Sequence, residues 1–75
     1  MILVRSQWDS EAKVWVATSD DVLGLATEAA TPDELVAKLQ VMIPELLEAK
    51  GETGGGREVP LFVMSEQVAT VRLPS

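Results

Sequence analysis

TPDELVAKLQVMIPELLEAKG, residues 31–51, carries a start signal and a stop signal for one helix. Thr31 suits the N-cap, and Pro32 suits the first helical position, where a missing backbone N–H costs nothing. Glu34 stands where the returning member of a capping box is found. Gly51 suits the left-handed residue that ends a helix, so the stretch predicts one helix between these two ends.

Apolar residues recur through this segment at the spacing of a helix. They form two neighbouring stripes, Leu35, Leu39, Met42 and Leu46 in one and Val36, Ile43 and Leu47 in the other. Together the stripes make a broad apolar face that must pack against another element. Pro44 interrupts the segment and cannot bond back to Gln40, so we expect a kink or a division near Ile43.

Two segments rich in β-branched and aromatic residues precede the helix, ILVRSQW at 2–8 and KVWVAT at 13–18. The polar connection DSEA at 9–12 predicts a β-hairpin. Strand alternation then places two apolar sets on opposite faces, Ile2, Val4, Trp8, Trp15 and Ala17 on one and Leu3, Val14, Val16 and Thr18 on the other. Leu23 to Ala29 predicts a third strand that bends at Gly24.

The segment after the helix is expected to return to the sheet. GETGGGRE at 51–58 predicts a flexible connection, and VPLFVMSEQVATVRLP at 59–74 predicts a long strand. The pattern leaves open whether residues 59–73 form one strand or two that meet near Ser65 to Gln67. The predicted fold class is α+β in the order βββαβ, an antiparallel sheet with one helix on one face.

Composition limits the chemistry that the chain can perform. Seventy-five residues make one domain with a single core, and the sequence contains neither Cys nor His. Disulfides and thiolate or imidazole metal sites are therefore excluded, and we expect neither a metal nor another cofactor. Met1 leads directly into ILVRSQW, which lacks the features of a signal peptide, so we expect a cytoplasmic protein.

The net charge of -6 disfavours nucleic-acid phosphates as direct partners. A basic protein partner suits such a surface better. The alternative is that the charge only keeps a small apolar domain soluble.

Three groups of residues invite a chemical interpretation. Asp20, Asp21, Glu28 and Glu34 are the acids that could imitate a magnesium site, although turn and cap roles explain them more simply. Gly54 to Gly56 lack the Lys-Ser or Lys-Thr of a phosphate loop, which favours a linker. Trp8 and Trp15 could stack on bases, but their shared apolar face favours the core or a subunit interface.

Four stretches resemble the HicB-like antitoxin superfamily, and within it a branch of short stand-alone domains of unknown function. They are Trp8 with Asp9, EAKVWVATSDDVLGL at 11–25, TEAATPDEL at 27–35 and PELLEAKG at 44–51. The resemblance implies one HicB-like domain over residues 1–75 with a partial ribonuclease H-like fold, in which one helix joins a three-stranded meander to a further strand beside the first. Complete antitoxins also carry a C-terminal DNA-binding domain, and from the length of the sequence we expect none here. In complete antitoxins such a domain binds and inhibits HicA, a small basic ribonuclease.

One helix covers only one side of a four-stranded sheet, yet both predicted faces are apolar, so we expect a homodimer or a larger homo-oligomer. Val4, Trp8 and Trp15 are the expected interface residues, and Asp20, Asp21 and Glu28 the expected contacts to a basic partner. The favoured hypothesis is a non-enzymatic interaction module. The alternatives are a metal-dependent nuclease on a reduced ribonuclease H-like fold and an orphan domain whose only activity is assembly.

Overall fold

The structure, a computed structural model, describes residues 1–52 and 54–75. Its elements in chain order are β1 (Ile2–Asp9), β2 (Val14–Thr18), β3 (Ala26–Ala29), α1 (Pro32–Ala49) and β4 (Leu61–Glu66). The four strands form one sheet in the order β3-β2-β1-β4, which confirms the α+β class and the βββαβ order. The sheet is mixed rather than wholly antiparallel, because β4 returns after the helix and pairs parallel to β1.

The β1–β2 hairpin closes around residues 10–13. The Asp9 carboxylate accepts hydrogen bonds from the backbone N–H groups of Glu11 and Ala12 at 3.0 and 3.1 Å, and Lys13 takes a positive φ of 59°. Trp8 lies opposite Trp15, a register two residues away from the one that a loop at 9–12 would give. A shift of two residues keeps each side chain on its face, so the predicted faces are correct.

The third strand is shorter than predicted. Gly24 has a φ of 85° and belongs to a turn in which the Leu25 N–H donates to the Val22 carbonyl at 3.2 Å. A positive φ cannot continue an extended strand, so β3 begins only at Ala26. Val22 and Leu25 are instead buried in the core beneath this turn.

Both predicted ends of the helix are confirmed. The Thr31 hydroxyl accepts a hydrogen bond from the Glu34 N–H at 3.1 Å. At the other end Gly51, with a φ of 78°, donates to the Glu48 carbonyl at 2.9 Å, and Glu52 donates to the Leu47 carbonyl at 3.0 Å. This is the paired bonding of a Schellman motif.

Pro44 does not divide the helix. The element runs without a break over 18 residues from Pro32 to Ala49, with Pro44 on its exposed side. The bonds of the flanking turns and the burial of Ile43 one residue earlier hold the two halves together.

The core lies between α1 and one face of the sheet. Its buried members come from the helix, three strands and the turn before β3, and they are Val4, Ala17, Val22, Leu25, Ala29, Leu35, Leu39 and Ile43. The helix lies over β3 and β2 and leaves the β4 side of the same face less covered. The residues after β4, Gln67 to Ser75, form neither helix nor strand, and we call them the C-terminal arm.

We predict that Leu39→Ala lowers the free energy of unfolding by about 2–5 kcal/mol, because it leaves a cavity at a completely buried position. Val41→Ala on the exposed side of the same helix is the control, with an expected change within about 0.5 kcal/mol. Urea denaturation measures both. Equal losses would mean that the helix does not pack on the face described.

We predict that Ser6→Ala raises the free energy of unfolding by about 1 kcal/mol. The Ser6 side chain is buried on the helix side of the sheet, and its hydroxyl has no hydrogen-bond partner among residues 1–52 and 54–75. Alanine removes this unpaired group at little loss of volume. A loss of stability on denaturation of Ser6→Ala would show that the hydroxyl has a partner in solution.

Candidate functional site

The face of the sheet that points away from the helix carries apolar residues from three strands. Strand alternation places Leu3 on this side, because Val4 and Ser6 are buried on the other. Phe62 pairs with Leu3 and Met64 with Arg5, so both lie on the same side as Leu3. We call this the uncovered face and define its apolar part as Leu3, Val14, Val16, Phe62 and Met64.

The apolar part of the uncovered face is accessible to a partner. Leu3 is 36% and Phe62 49% exposed, and Val14, Val16 and Met64 are half-buried. The helix packs on the opposite side of the sheet, and the described residues form no second helix that could cover this one. The strand register divides its apolar residues into two groups, Leu3 with Phe62 and Met64, and Val14 with Val16. The polar residues Arg5, Gln7 and Asp9 of β1 stand between the two groups.

Charged residues flank this apolar part. Glu28 lies opposite Val16 on β3, and Glu66 lies beside Gln7 at the end of β4. Arg5, between Leu3 and Gln7 on β1, is the basic residue of the strands on this face. Acidic side chains therefore stand at both lateral edges of the uncovered face.

A turn formed by Ser19 to Asp21 closes one end of the uncovered face. The Asp21 carboxylate accepts a hydrogen bond from the Leu3 N–H at 2.8 Å, and the Ser19 hydroxyl donates to the Leu3 carbonyl at 2.6 Å. Leu3 precedes the β1–β2 ladder, so these bonds satisfy backbone groups that β2 does not reach. Asp21 consequently has a structural role, beside a depression of about 280 Å³ that Arg5 and Asp20 also line.

The four acids that could imitate a magnesium site are not brought together. Asp20 and Asp21 occupy the turn, Glu28 lies on β3, and Glu34 lies in the first turn of the helix. Within the described part of the chain, no group of three or more acidic residues has an arrangement that could hold a metal ion. The same part of the chain contains no helix that combines the length and hydropathy needed to cross a membrane.

The glycine-rich connection forms a turn rather than a cradle that opens a helix. The Arg57 N–H donates to the Gly54 carbonyl at 3.0 Å, and Gly55 and Gly56 take positive φ values. No helix follows these glycines before β4 begins at Leu61. Thr53, part of the predicted flexible connection, lies outside the described residues.

The three residues predicted for a subunit interface lie on the helix side of the sheet. Trp8 and Trp15 are half-buried neighbours whose ring centroids are 5.3 Å apart at an interplanar angle of 55°. Val4 is 0% exposed, so its own chain encloses the whole side chain. The prediction for Val4 is wrong for this reason, whereas the two Trp residues keep partly accessible rings.

Phe62 and Met64 are not among the contacts that the sequence predicts. The alternation of LFVMSE, residues 61–66, does indicate that Phe62 and Met64 share one face of the strand, because every second residue of a strand faces the same side. Which side that is depends on the pairing of β4 with β1, a contact between residues about sixty positions apart in the chain. Local pattern alone does not determine such a register.

A second apolar feature lies on the helix side. Because α1 lies over β3 and β2, a groove of about 1420 Å³ opens between the helix and β4. We call it the helix–β4 groove, and its apolar wall consists of Ile2, Val36, Leu39, Ile43, Leu47, Leu61 and Val63. Glu48, Glu52 and Arg57 supply its charges.

We predict that Asp21→Ala lowers the free energy of unfolding by about 1–2 kcal/mol, because the Leu3 N–H loses its acceptor. Asp20→Ala removes the same charge one residue earlier and serves as the control, with little expected change. Thermal or chemical denaturation compares the two variants. Equal stability of the two variants would show that the Asp21 bond contributes nothing.

Comparisons with known proteins identify the family of the chain and no activity. A search of proteins of curated function found no match. The crystal structure of a hypothetical protein, TTHA1013 from the extremely thermophilic bacterium Thermus thermophilus, is similar at 51% sequence identity and a TM-score of 0.66. The match covers 96% of this chain and 97% of that one. The family described as Domain of unknown function (DUF1902) matches residues 1–75, and the chain therefore belongs to this family.

Proposed function

We propose that the chain is a non-enzymatic, homo-oligomeric protein-interaction module that binds a basic protein through the uncovered face. The observation that carries this proposal is the apolar part of that face, which stands open between acidic edges. A paired sheet with an open apolar side is a surface that soluble domains normally cover with another layer.

The apolar part supplies the binding energy in this proposal. Phe62 stands between Leu3 on β1 and the open edge of the sheet. Aromatic side chains that are half exposed on a rigid strand are typical anchors of protein interfaces. Burial of Phe62 and Leu3 by a partner removes apolar surface from water without reorganising the sheet.

Charge selects the partner. The chain carries 12 acidic and 6 basic residues, and Glu28, Glu66, Asp20 and Asp21 surround the uncovered face. The negative electrostatic potential of these residues attracts a basic protein and orients it before contact. The same potential repels the phosphates of nucleic acids. Asp20 is better suited to such a contact than Asp21, because Asp21 already accepts the bond from Leu3.

The resemblance to HicB-like antitoxins supports a ribonuclease of the HicA type as the basic partner. The order of the elements, with a three-stranded meander, one helix and a last strand beside the first, agrees with what that resemblance implies. In this proposal the domain blocks the nuclease sterically and through its acidic groups. The alternative of a metal-dependent nuclease is not favoured, because the candidate carboxylates of the described residues stand apart.

A second candidate is an orphan domain whose only activity is assembly. The exposed apolar residues of the C-terminal arm favour this alternative, because they suit a second chain and lie outside the uncovered face. In this alternative the chain also forms a homo-oligomer, but it binds no basic protein.

We predict that the purified chain binds a purified HicA ribonuclease and inhibits its cleavage of RNA. Phe62→Ala is expected to weaken binding by about ten- to hundredfold and Glu28→Lys by about tenfold, measured by titration calorimetry. Glu45→Lys makes the same charge change on the helix, away from the uncovered face, and is expected to bind like the parent.

No binding by the parent chain would contradict the toxin-binding proposal. Equal weakening by Glu28→Lys and Glu45→Lys would contradict the role of the uncovered face, because it would show that only the total charge matters. Amide shifts in an NMR titration locate the contact independently. They are expected on β1, β2 and β4 at Leu3, Val16 and Phe62.

A further inference from the structure

The C-terminal arm is an extended apolar segment that packs on no element formed by the described residues. Val68, Val71 and Leu73 are 97%, 80% and 79% exposed. The radius of gyration is 15.1 Å, against about 11 Å for a compact chain of this length, and the longest axis measures 60 Å. The arm therefore projects from the body with its apolar side chains in water.

The arm has the sequence of a β-strand. In QVATVRLPS, residues 67–75, Val68, Thr70 and Val71 favour strands, and Pro74 marks the end of any pairing. Among the described residues, no hydrogen bond ties the backbone of the arm to the body. A strand-forming segment with unpaired backbone groups needs an edge to pair with.

One edge of the sheet is open to such a strand. The order β3-β2-β1-β4 makes β3 and β4 the two edges. On β3 the Lys38 ammonium donates to the Glu28 carbonyl at 2.6 Å and so occupies part of that edge. No side-chain hydrogen bond of the described residues reaches β4, and β4 contains neither Lys nor Pro to block pairing.

The arm cannot turn back onto its own β4 without a hairpin. It begins where Glu66 lies beside Gln7, and the helix–β4 groove opens at the other end, where Leu61 lies beside Ile2. No turn is formed between β4 and the arm. A second copy of the chain, related by a two-fold axis, brings its own arm to this edge directly.

We propose that two copies of the chain exchange their C-terminal arms, each arm adding a fifth strand to the open β4 edge of the other copy. This inference rests on the homo-oligomeric part of the proposed function and names its interface. Each chain then contributes one continuous strand, residues 61–73, and the two strands pair antiparallel about the two-fold axis. The two four-stranded sheets join into one.

The alternation of side chains fixes the register of this exchange. Leu61 and Val63 face the helix side, and an extended chain places Val71 and Leu73 in the same phase. Apolar residues meet when Gln67 of one copy lies opposite Gln67 of the partner subunit. The helix-side pairs across the two copies are then Leu61 with Leu73, Val63 with Val71 and Ser65 with Ala69.

On the uncovered face the favoured register sets Arg72 opposite Phe62 and Thr70 opposite Met64. A register shifted by one residue breaks the match on the helix side. It sets Arg72 opposite Leu61 and Thr70 opposite Val63. In the favoured register Leu73 and Val71 also point toward the helix–β4 groove, whose wall is apolar. The six residues of β4 are matched by the six residues at 68–73, so the arm covers the whole edge.

Charge complementarity selects a second copy over other apolar partners. Arg72 is the only charged side chain of the arm, whereas the preceding 66 residues contain all 12 acidic and five of the six basic residues. Each arm is therefore a positive segment that docks on an acidic body. The attraction acts twice in the dimer, once for each arm.

A cysteine at position 67 tests the register, because the natural chain contains no Cys that would confuse the result. Side chains directly opposite each other across antiparallel strands have Cβ atoms about 4.5–5.5 Å apart, close enough for a disulfide after small adjustments. Gln67→Cys is therefore expected to form a covalent dimer under mild oxidation. Ala69→Cys is the control, since the two copies of residue 69 would stand about 13 Å apart.

Leu73→Asp tests the same interface without a cross-link. Leu73 is 79% exposed in the single chain, so the variant is expected to keep the fold of the parent by circular dichroism. Sedimentation velocity is expected to show a dimer for the parent and a monomer for Leu73→Asp. Val41→Asp introduces the same charge on the exposed side of the helix and is expected to remain a dimer.

The outcomes separate the arm exchange from the proposed function. A parent dimer that Leu73→Asp leaves intact, or equal cross-linking of the two cysteine variants, overturns the arm exchange and leaves the homo-oligomer standing. A parent chain that stays monomeric at every concentration overturns both. Binding of HicA is measured independently, and its result does not depend on the arm exchange.

Discussion

Leu35, Leu39 and Ile43 hold a single helix against one face of the sheet, and the rest of the structure depends on this contact. An 18-residue helix is long enough to cover β3 and β2 and not wide enough to cover β4 as well. The opposite face has no covering layer among the described residues, although β1, β2 and β4 all place apolar side chains on it. The sheet has apolar residues on both faces, and the one helix covers only part of one face. The uncovered face and the helix–β4 groove both result from this incomplete cover.

Those surfaces differ in chemistry and need not compete. The uncovered face spans the sheet and is edged by Glu28 and Glu66, which suits a folded basic protein. The β4 edge and the helix–β4 groove are linear and suit an extended segment that offers backbone groups and apolar side chains in alternation. A dimer formed through the edge leaves one uncovered face on each subunit, on the same side of the joined sheet, with Arg72 of the partner subunit beside Phe62.

Much of the fold could be predicted from local chemistry. Thr31 and Gly51 predict the helix ends because capping depends on a few adjacent residues, and the hairpin faces survive a register error of two because strand alternation repeats every two residues. The bent strand predicted at Gly24 is wrong because a glycine suits both a bend and a turn with positive φ. Pro44 does not divide the helix, one of the two outcomes that the sequence left open, because the choice depends on the packing of the neighbouring turns against other elements.

The candidate site was less predictable because it depends on long-range pairing. Phe62 and Met64 lie on the uncovered face only because β4 pairs parallel to β1. Val4 is completely buried in the core, so its side chain cannot contact a second chain. Asp21 was predicted to contact a partner, whereas its bond to the Leu3 N–H shows a structural role that depends on a contact 18 residues away. Acidic composition predicted a basic partner, which stays a prediction, and could not indicate which acids are free of bonds within the chain.

Hydrogen exchange of the backbone amides, followed by NMR over a range of protein concentrations, tests most directly whether the sheet is completed by a second chain. We predict that the amides of Ala69, Val71 and Leu73, which the arm exchange turns toward the β4 edge, are protected at high concentration and lose that protection on dilution, while those of β1 and β2 stay protected throughout. Arm amides that exchange at the rate of an unstructured peptide at every concentration would contradict it.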